Sequence, residues 1–128
     1  MSWQNAQLVH TRDQQPEQWA NLQNNIGYYL VLIGERESNP GRFREAVPLL
    51  REALRLQTEL KSNSAFNTAD SLCRALLDDG TARKDRTALL EAKQLCNTAI
   101  ERMKTAGADP RGTVDTLSRI EAALNSTR

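Results

Sequence analysis

Apolar residues recur every three or four positions along almost the whole chain, the spacing of helices that bury one face. Leu22, Ile26, Tyr29, Leu30 and Ile33 draw one stripe, with Pro16 at a first-turn position and Gly34 at the end, which predicts a helix over 16–34. Residues 35–42 carry an Asn-Pro-Gly turn signal. A second stripe, Phe43, Ala46, Val47, Leu50, Ala53 and Leu54, runs to about Leu60, and Pro48 inside it is expected to bend the helix. Phe66, Ala69, Leu72, Cys73, Leu76 and Leu77 form a third, ending at Gly80. Leu89, Ala92, Leu95, Cys96, Ala99 and Ile100 form a fourth, to about Lys104. After a break at 108–112, Val114, Leu117, Ile120 and Leu124 make a last amphipathic helix. Trp3, Ala6 and Val9, at threefold spacing, read as a short opening helix. The pattern predicts an all-α chain of about six helices.

Shifted by 46 residues, the chain falls on itself. Ile26 meets Leu72, Leu30 meets Leu76, Val31 meets Leu77 and Gly34 meets Gly80; Phe43 meets Leu89, Glu45 meets Glu91, Ala46 meets Ala92, Leu49 meets Leu95, Ala53 meets Ala99 and Leu54 meets Ile100. A match that keeps both helices of a hairpin and the glycine between them in register marks a helical repeat. It divides a single domain, 1–128, into an incoming helix (1–15), two units (16–61 and 62–107) and a closing helix (108–128).

The segment containing Trp19-Ala20, Asn24-Asn25-Ile26-Gly27, Leu30, Gly34, Phe43-Arg44-Glu45-Ala46, Leu50 and Ala53-Leu54 resembles a tetratricopeptide repeat. The likeness is to the variety with an Asn-Asn-Leu-Gly motif and a lengthened connection between its two helices. The second unit departs from it, with Ser71-Leu72-Cys73 in place of Asn-Ile-Gly, but keeps Gly80, Glu91-Ala92, Leu95 and Ala99. The resemblance covers roughly residues 16–104 and implies an α-solenoid of antiparallel hairpins. Gly27, Ala46 and Ala53 would let paired helices approach, while Ile26, Leu30, Leu50 and Leu54 fill the seam. The lengthened connections, 35–42 and 81–88, read either as extended helices or as contact loops. The chain also reads as starting within a repeat's second helix, as a piece of a longer array would.

In tetratricopeptide folds the first helix of each unit lines a concave groove. The residues this assigns to binding are Asn21, Asn24, Asn25 and Tyr28 in the first unit, and Asn67, Asp70 and Arg74 in the second. Asparagine is a poor interior helix former, costing about 0.5 kcal/mol against alanine. Three on one helical face suggest a compensating use, since amides pair with peptide backbone and Tyr28 adds flat apolar area with a hydroxyl. The alternative is a solvated face whose amides bond to neighbouring helices. The family's carboxylate clamp is not expected, because only the asparagine matching Asn25 is present and Ser71 takes its place in the second unit.

Composition narrows the function. The chain has 128 residues, 39% hydrophobic and 26% charged, with six Gly and four Pro; this suits one globular helical domain. Net charge is +1, and no segment carries the basic excess that phosphate neutralisation needs, which disfavours nucleic acid unless Lys93, Arg102 and Lys104 share a face. No apolar run approaches a membrane span and no signal peptide opens the chain, so a reducing cytoplasm is the expected compartment. His10 is the only histidine; with no metal set, cofactor motif or nucleophile–base pair, a non-enzyme without cofactor is expected. Asp78-Asp79 reads as a solvated acidic doublet, and Cys73 and Cys96 as buried thiols on facing helices. The leading expectation is a scaffold or adaptor binding a protein or peptide. A nucleic-acid binder and a self-associating piece of a longer array, dimerising through its end helices, remain as alternatives.

Overall fold

The computed structural model describes residues 14–126. Five helices follow one another: α1 (Pro16–Glu37), α2 (Pro40–Glu59), α3 (Ala65–Arg83), α4 (Arg86–Ala106) and α5 (Arg111–Ser126). Among the described residues there is no strand. Among the described residues the count is five; the sixth, the opening helix expected within 1–15 with Trp3 and His10, lies almost entirely outside them.

Local chemistry sets the helix ends. Pro16 opens α1 and Pro40 opens α2, at a position where a missing N–H costs nothing. The helices expected to stop at Gly34 and Gly80 instead run on to Glu37 and Arg83, so each connection shrinks to two residues. Both turns are built alike. Ser38 and Lys84 sit in the left-handed region (φ 52° and 53°), and the next residue, Asn39 or Asp85, caps the following helix. The Asn39 side chain accepts from the Gly41 N–H at 3.1 Å, and Asp85 accepts from Ala88 at 3.2 Å. The lengthened connection is thus extra helix on both sides of a tight turn. Helix α2 continues through Pro48.

Gly27, Gly34 and Gly80 serve contact, not termination, and of the glycines it is Gly107, at φ 75°, that ends a helix. A Cβ on Gly34 would lie 2.7 Å from Phe43 Cε1, and one on Gly27 would lie 2.6 Å from Leu50 Cγ. The second hairpin packs through the same positions 46 residues on. Gly80 lies against Leu89, and Cys73 against Cys96 with their sulfurs 2.7 Å apart. Both cysteines are free and buried.

Helices α1, α3 and α5 lie side by side in one layer, with α2 packed on α1 and α3, and α4 on α3 and α5. Helix α3 touches the other four and is buried on most of its circumference. The main core gathers Val31, Ala46, Leu50, Leu72, Leu76, Leu89, Ala92 and Ile120. Trp19 packs with Ala20, Ala53 and Leu56 at the open end of the first hairpin.

One expectation about the core is overturned in most of its residues. Of the stripe Leu22, Ile26, Tyr29, Leu30 and Ile33, Leu30 packs against the core, but Leu22, Tyr29 and Ile33 are 43%, 66% and 40% exposed and Ile26 is half-buried. The buried side of α1 is Trp19, Ala20, Gln23, Gly27, Val31 and Gly34, where small residues admit α2 and α3 closely.

Candidate functional site

The seven residues assigned to binding part company in three dimensions. Asn25, Tyr28 and Asn67 are exposed on the layer formed by α1, α3 and α5. Arg74 of α3 lies beside them, its guanidinium 6.0 Å from the centre of the Tyr28 ring, close enough for a cation–π contact. Two others are already engaged inside the protein. Asn21 Oδ1 accepts from Nε2 of Gln57 at 3.0 Å, tying α1 to the fully buried Gln57 of α2. Asp70 Oδ1 accepts from the Thr113 hydroxyl at 2.7 Å, tying α3 to α5. These two read as helix-to-helix fasteners, the bland alternative foreseen for them. Asn24 is half-buried with its Oδ1 shielded and without a hydrogen-bond partner.

A charged cluster crosses the same layer and includes residues that sequence reasoning missed. Arg74 donates to both carboxylate oxygens of Glu35 on α1, at 2.9 and 2.5 Å. Asp78 lies one turn beyond Arg74, and Arg119 of α5 approaches its Oδ1 at 3.8 Å. Glu35, Arg74, Asp78 and Arg119 therefore alternate in sign across three helices. A shallow recess of about 340 Å³ adjoins the cluster, lined by Phe43, Leu77, Asp78 and Arg119 among others.

Burial governs the acid–base state of this cluster. Asp78 has one oxygen, Oδ2, buried without a donor. Burial first, and then the hydrogen bond and charge of Glu35, push its carboxyl up to about 8, against the pull of Arg119 and Arg74. Burial also works against ionising Glu35, but hydrogen bonds from Arg74 and Asp78, with the charges of Arg74 and Arg119, outweigh it and hold that carboxyl below its ordinary value. The opposed directions favour a single proton held between the two carboxyls, on the Asp78 side of the pair.

The acidic doublet is not solvated. Asp79 is only 3% exposed and accepts three hydrogen bonds from Arg83, at 2.7 to 3.1 Å. The Cys96 thiol donates to the Cys73 sulfur and the Cys73 thiol to the Asp70 carbonyl. The close pairing with Cys96, reinforced by burial and by the charge of Asp70, pushes the Cys73 thiol far above its usual range.

Lys93 and Arg102 do not share a face, because nine residues of helix place them on opposite sides of α4. Among the described residues, no group of three or more His, Cys, Asp or Glu side chains could hold a metal ion. No described helix is long and apolar enough to cross a membrane.

The surface that emerges is a strip running from the uncharged Asn25 and Tyr28 to the Arg74–Glu35–Asp78–Arg119 cluster, carried on alternate helices and stiffened by bonds between them. Such a strip can seat an extended or helical segment, with amides at one end and paired charges at the other. The chain matches no protein-family model, no curated protein and no solved structure.

Proposed function

We propose that the chain is a tetratricopeptide-like helical-repeat module that binds a protein or peptide along the layer formed by α1, α3 and α5, acting as a scaffold or adaptor. One observation carries the reading. The first helices of the two 46-residue units lie side by side and present Asn25, Tyr28 and Asn67 outward, with Arg74 between them. The paired contacts Gly27–Leu50 with Cys73–Cys96, and Gly34–Phe43 with Gly80–Leu89, support a structural repeat under the sequence one. The binding set is narrower than the sequence suggested. Asn25, Tyr28, Asn67 and Arg74 face the ligand, whereas Asn21 and Asp70 hold the helices that carry them.

The test is selection of peptides from a random display library on the purified chain, alongside an Asn25→Ala/Tyr28→Ala variant. Both residues are exposed, so the variant keeps its helical signal and melting temperature. A peptide motif enriched on the wild type and weakened about tenfold or more on the variant supports the strip as the site. Equal enrichment on both removes the strip from the reading.

A further inference from the structure

Among the described residues, the outward stripe of α1 is the exposed surface that most looks like an interior. Leu22, Ile26, Tyr29 and Ile33 fall within an arc of roughly 60° and run about 16 Å along the helix. The residues 46 positions on, Thr68, Leu72, Ala75 and Asp79, are all buried on α3, the helix that α2 covers. The α1 stripe therefore occupies the place of a helix-packing face, with larger and more apolar side chains than its buried counterpart. Residues 18–34 carry no charge at all, 17 in succession in a chain that is 26% charged. Loss of charge with retention of aromatic and aliphatic residues is the composition of an interface core.

We propose that this face pairs with the same face of a second copy of the chain. Of the other exposed large apolar residues among those described, Tyr28 lies on the side of α1 that meets Arg74, Leu60 just past the end of α2, Leu90 on α4 and Val114 on α5. The outward side of α5, at the opposite end, is mostly polar, with Asp115, Ser118, Glu121 and Asn125 exposed around a single apolar residue, Val114. Among the described residues, head-to-tail stacking thus finds only the single Val114 to receive a stripe of four, whereas an isologous, two-fold contact matches the stripe to itself. An antiparallel α1–α1 pair is self-complementary in one register. Leu22 then faces Ile33 of the second copy, and Ile26 faces its Tyr29. Gln18 falls opposite Glu37 and Trp19 opposite Arg36, so no like charges meet. A contact one helix wide buries less than the ~1,200 Å² of a standard interface. The dimer is accordingly weak, with a dissociation constant on the order of 10–100 µM.

Sedimentation equilibrium of the full chain between roughly 5 and 500 µM spans that range. The expected result is a mass rising from 14.4 kDa toward twice that value. A Tyr29→Glu/Ile33→Glu variant, altered only at exposed positions, is expected to stay monomeric with unchanged helicity and melting temperature. Register is read separately: an equimolar mixture of Ile26→Cys and Tyr29→Cys chains should cross-link under mild oxidation faster than either alone. A monomer at every concentration overturns the proposal. In that case the reactivity of Tyr29→Cys with a water-soluble maleimide identifies the real state of the face. Slow labelling means that the chain's own residues 2–13 cover it, and fast labelling means that it is open to a different protein. A dimer that survives the double glutamate variant also overturns it.

Discussion

Gly27→Ala is expected to destabilise the wild-type chain and to stabilise a chain that already carries Leu50→Ala. The added Cβ would lie 2.6 Å from Leu50 Cγ and 2.7 Å from Cδ2, and Leu50 has no exposed surface into which it can retreat. Overpacking of this kind costs about 1–3 kcal/mol, against a helix-propensity gain of about 1 kcal/mol for replacing glycine. Leu50→Ala alone removes a fully buried side chain at the centre of the first hairpin and should cost about 2–5 kcal/mol. At roughly 3 °C per kcal/mol for a chain of this length, that is a fall of about 6–15 °C in melting temperature. With Leu50 shortened, the Gly27 Cβ enters space the leucine has left, so the two changes should couple by at least ~1 kcal/mol. Thermal or urea unfolding of the four chains of the double-mutant cycle measures this directly. Additive effects would mean that Leu50 does not set the approach of α1 to α2. The second hairpin holds a native counterpart of the exchange, since Cys73 and Cys96 divide between them the space that Gly27 and Leu50 divide unequally.

That pair also shows where sequence reading stops. The helical class, the 46-residue shift and the facing of Cys73 on Cys96 were legible, because each depends on spacing along one helix or on equal spacing in two. The sense of the α1 stripe was not. Periodicity marks an apolar face but not which face is covered. On α1 the close packing is done by Ala20, Gly27 and Gly34, whose smallness gives little hydrophobic signal, while Tyr29 and Ile33 point outward. Gly34 and Gly80 look like helix stops because glycine commonly ends helices. Here they are gaps cut for Phe43 and Leu89, and the stops are Ser38 and Lys84, residues with no such signature. The candidate site divides on the same line. Asn25, Tyr28 and Asn67 follow from helical phase. Asn21 and Asp70 share that phase but are claimed by Gln57 and Thr113, partners more than 30 residues away. Glu35 was hidden because it fell in a stretch read as a connection, and only the extension of α1 to Glu37 brings it beside Arg74.

The shared proton of that cluster should make the fold lose stability as pH rises toward 8. In the unfolded chain Asp78 ionises with an ordinary aspartate pKa near 4, whereas in the folded chain it holds its proton up to about 8. Between those values the folded state binds the extra proton, so each rise in pH favours unfolding, and the contribution is fully present only below the lower value. Glu35 acts in the opposite sense, but its depressed pKa confines its effect to pH below the ordinary glutamate range. From pH 5 to 8 the titration of Asp78 therefore stands alone within the cluster. Solvent at its edge and the Arg74 and Arg119 guanidiniums moderate it, leaving on the order of 1–2 kcal/mol, or about 3–6 °C in melting temperature. Asp78→Asn keeps the shape, supplies a permanent donor toward Glu35 and removes the titration. The variant should melt close to the wild type at pH 5 and several degrees above it at pH 8, with the difference growing steadily between. Parallel melting curves across that range would place the proton elsewhere, with Asp78 ionised throughout and held by Arg119 alone. A variant less stable at pH 8 than at pH 5, relative to the wild type, would reverse the sign of the linkage and show that the Asp78 charge supports the contact of α3 with α5.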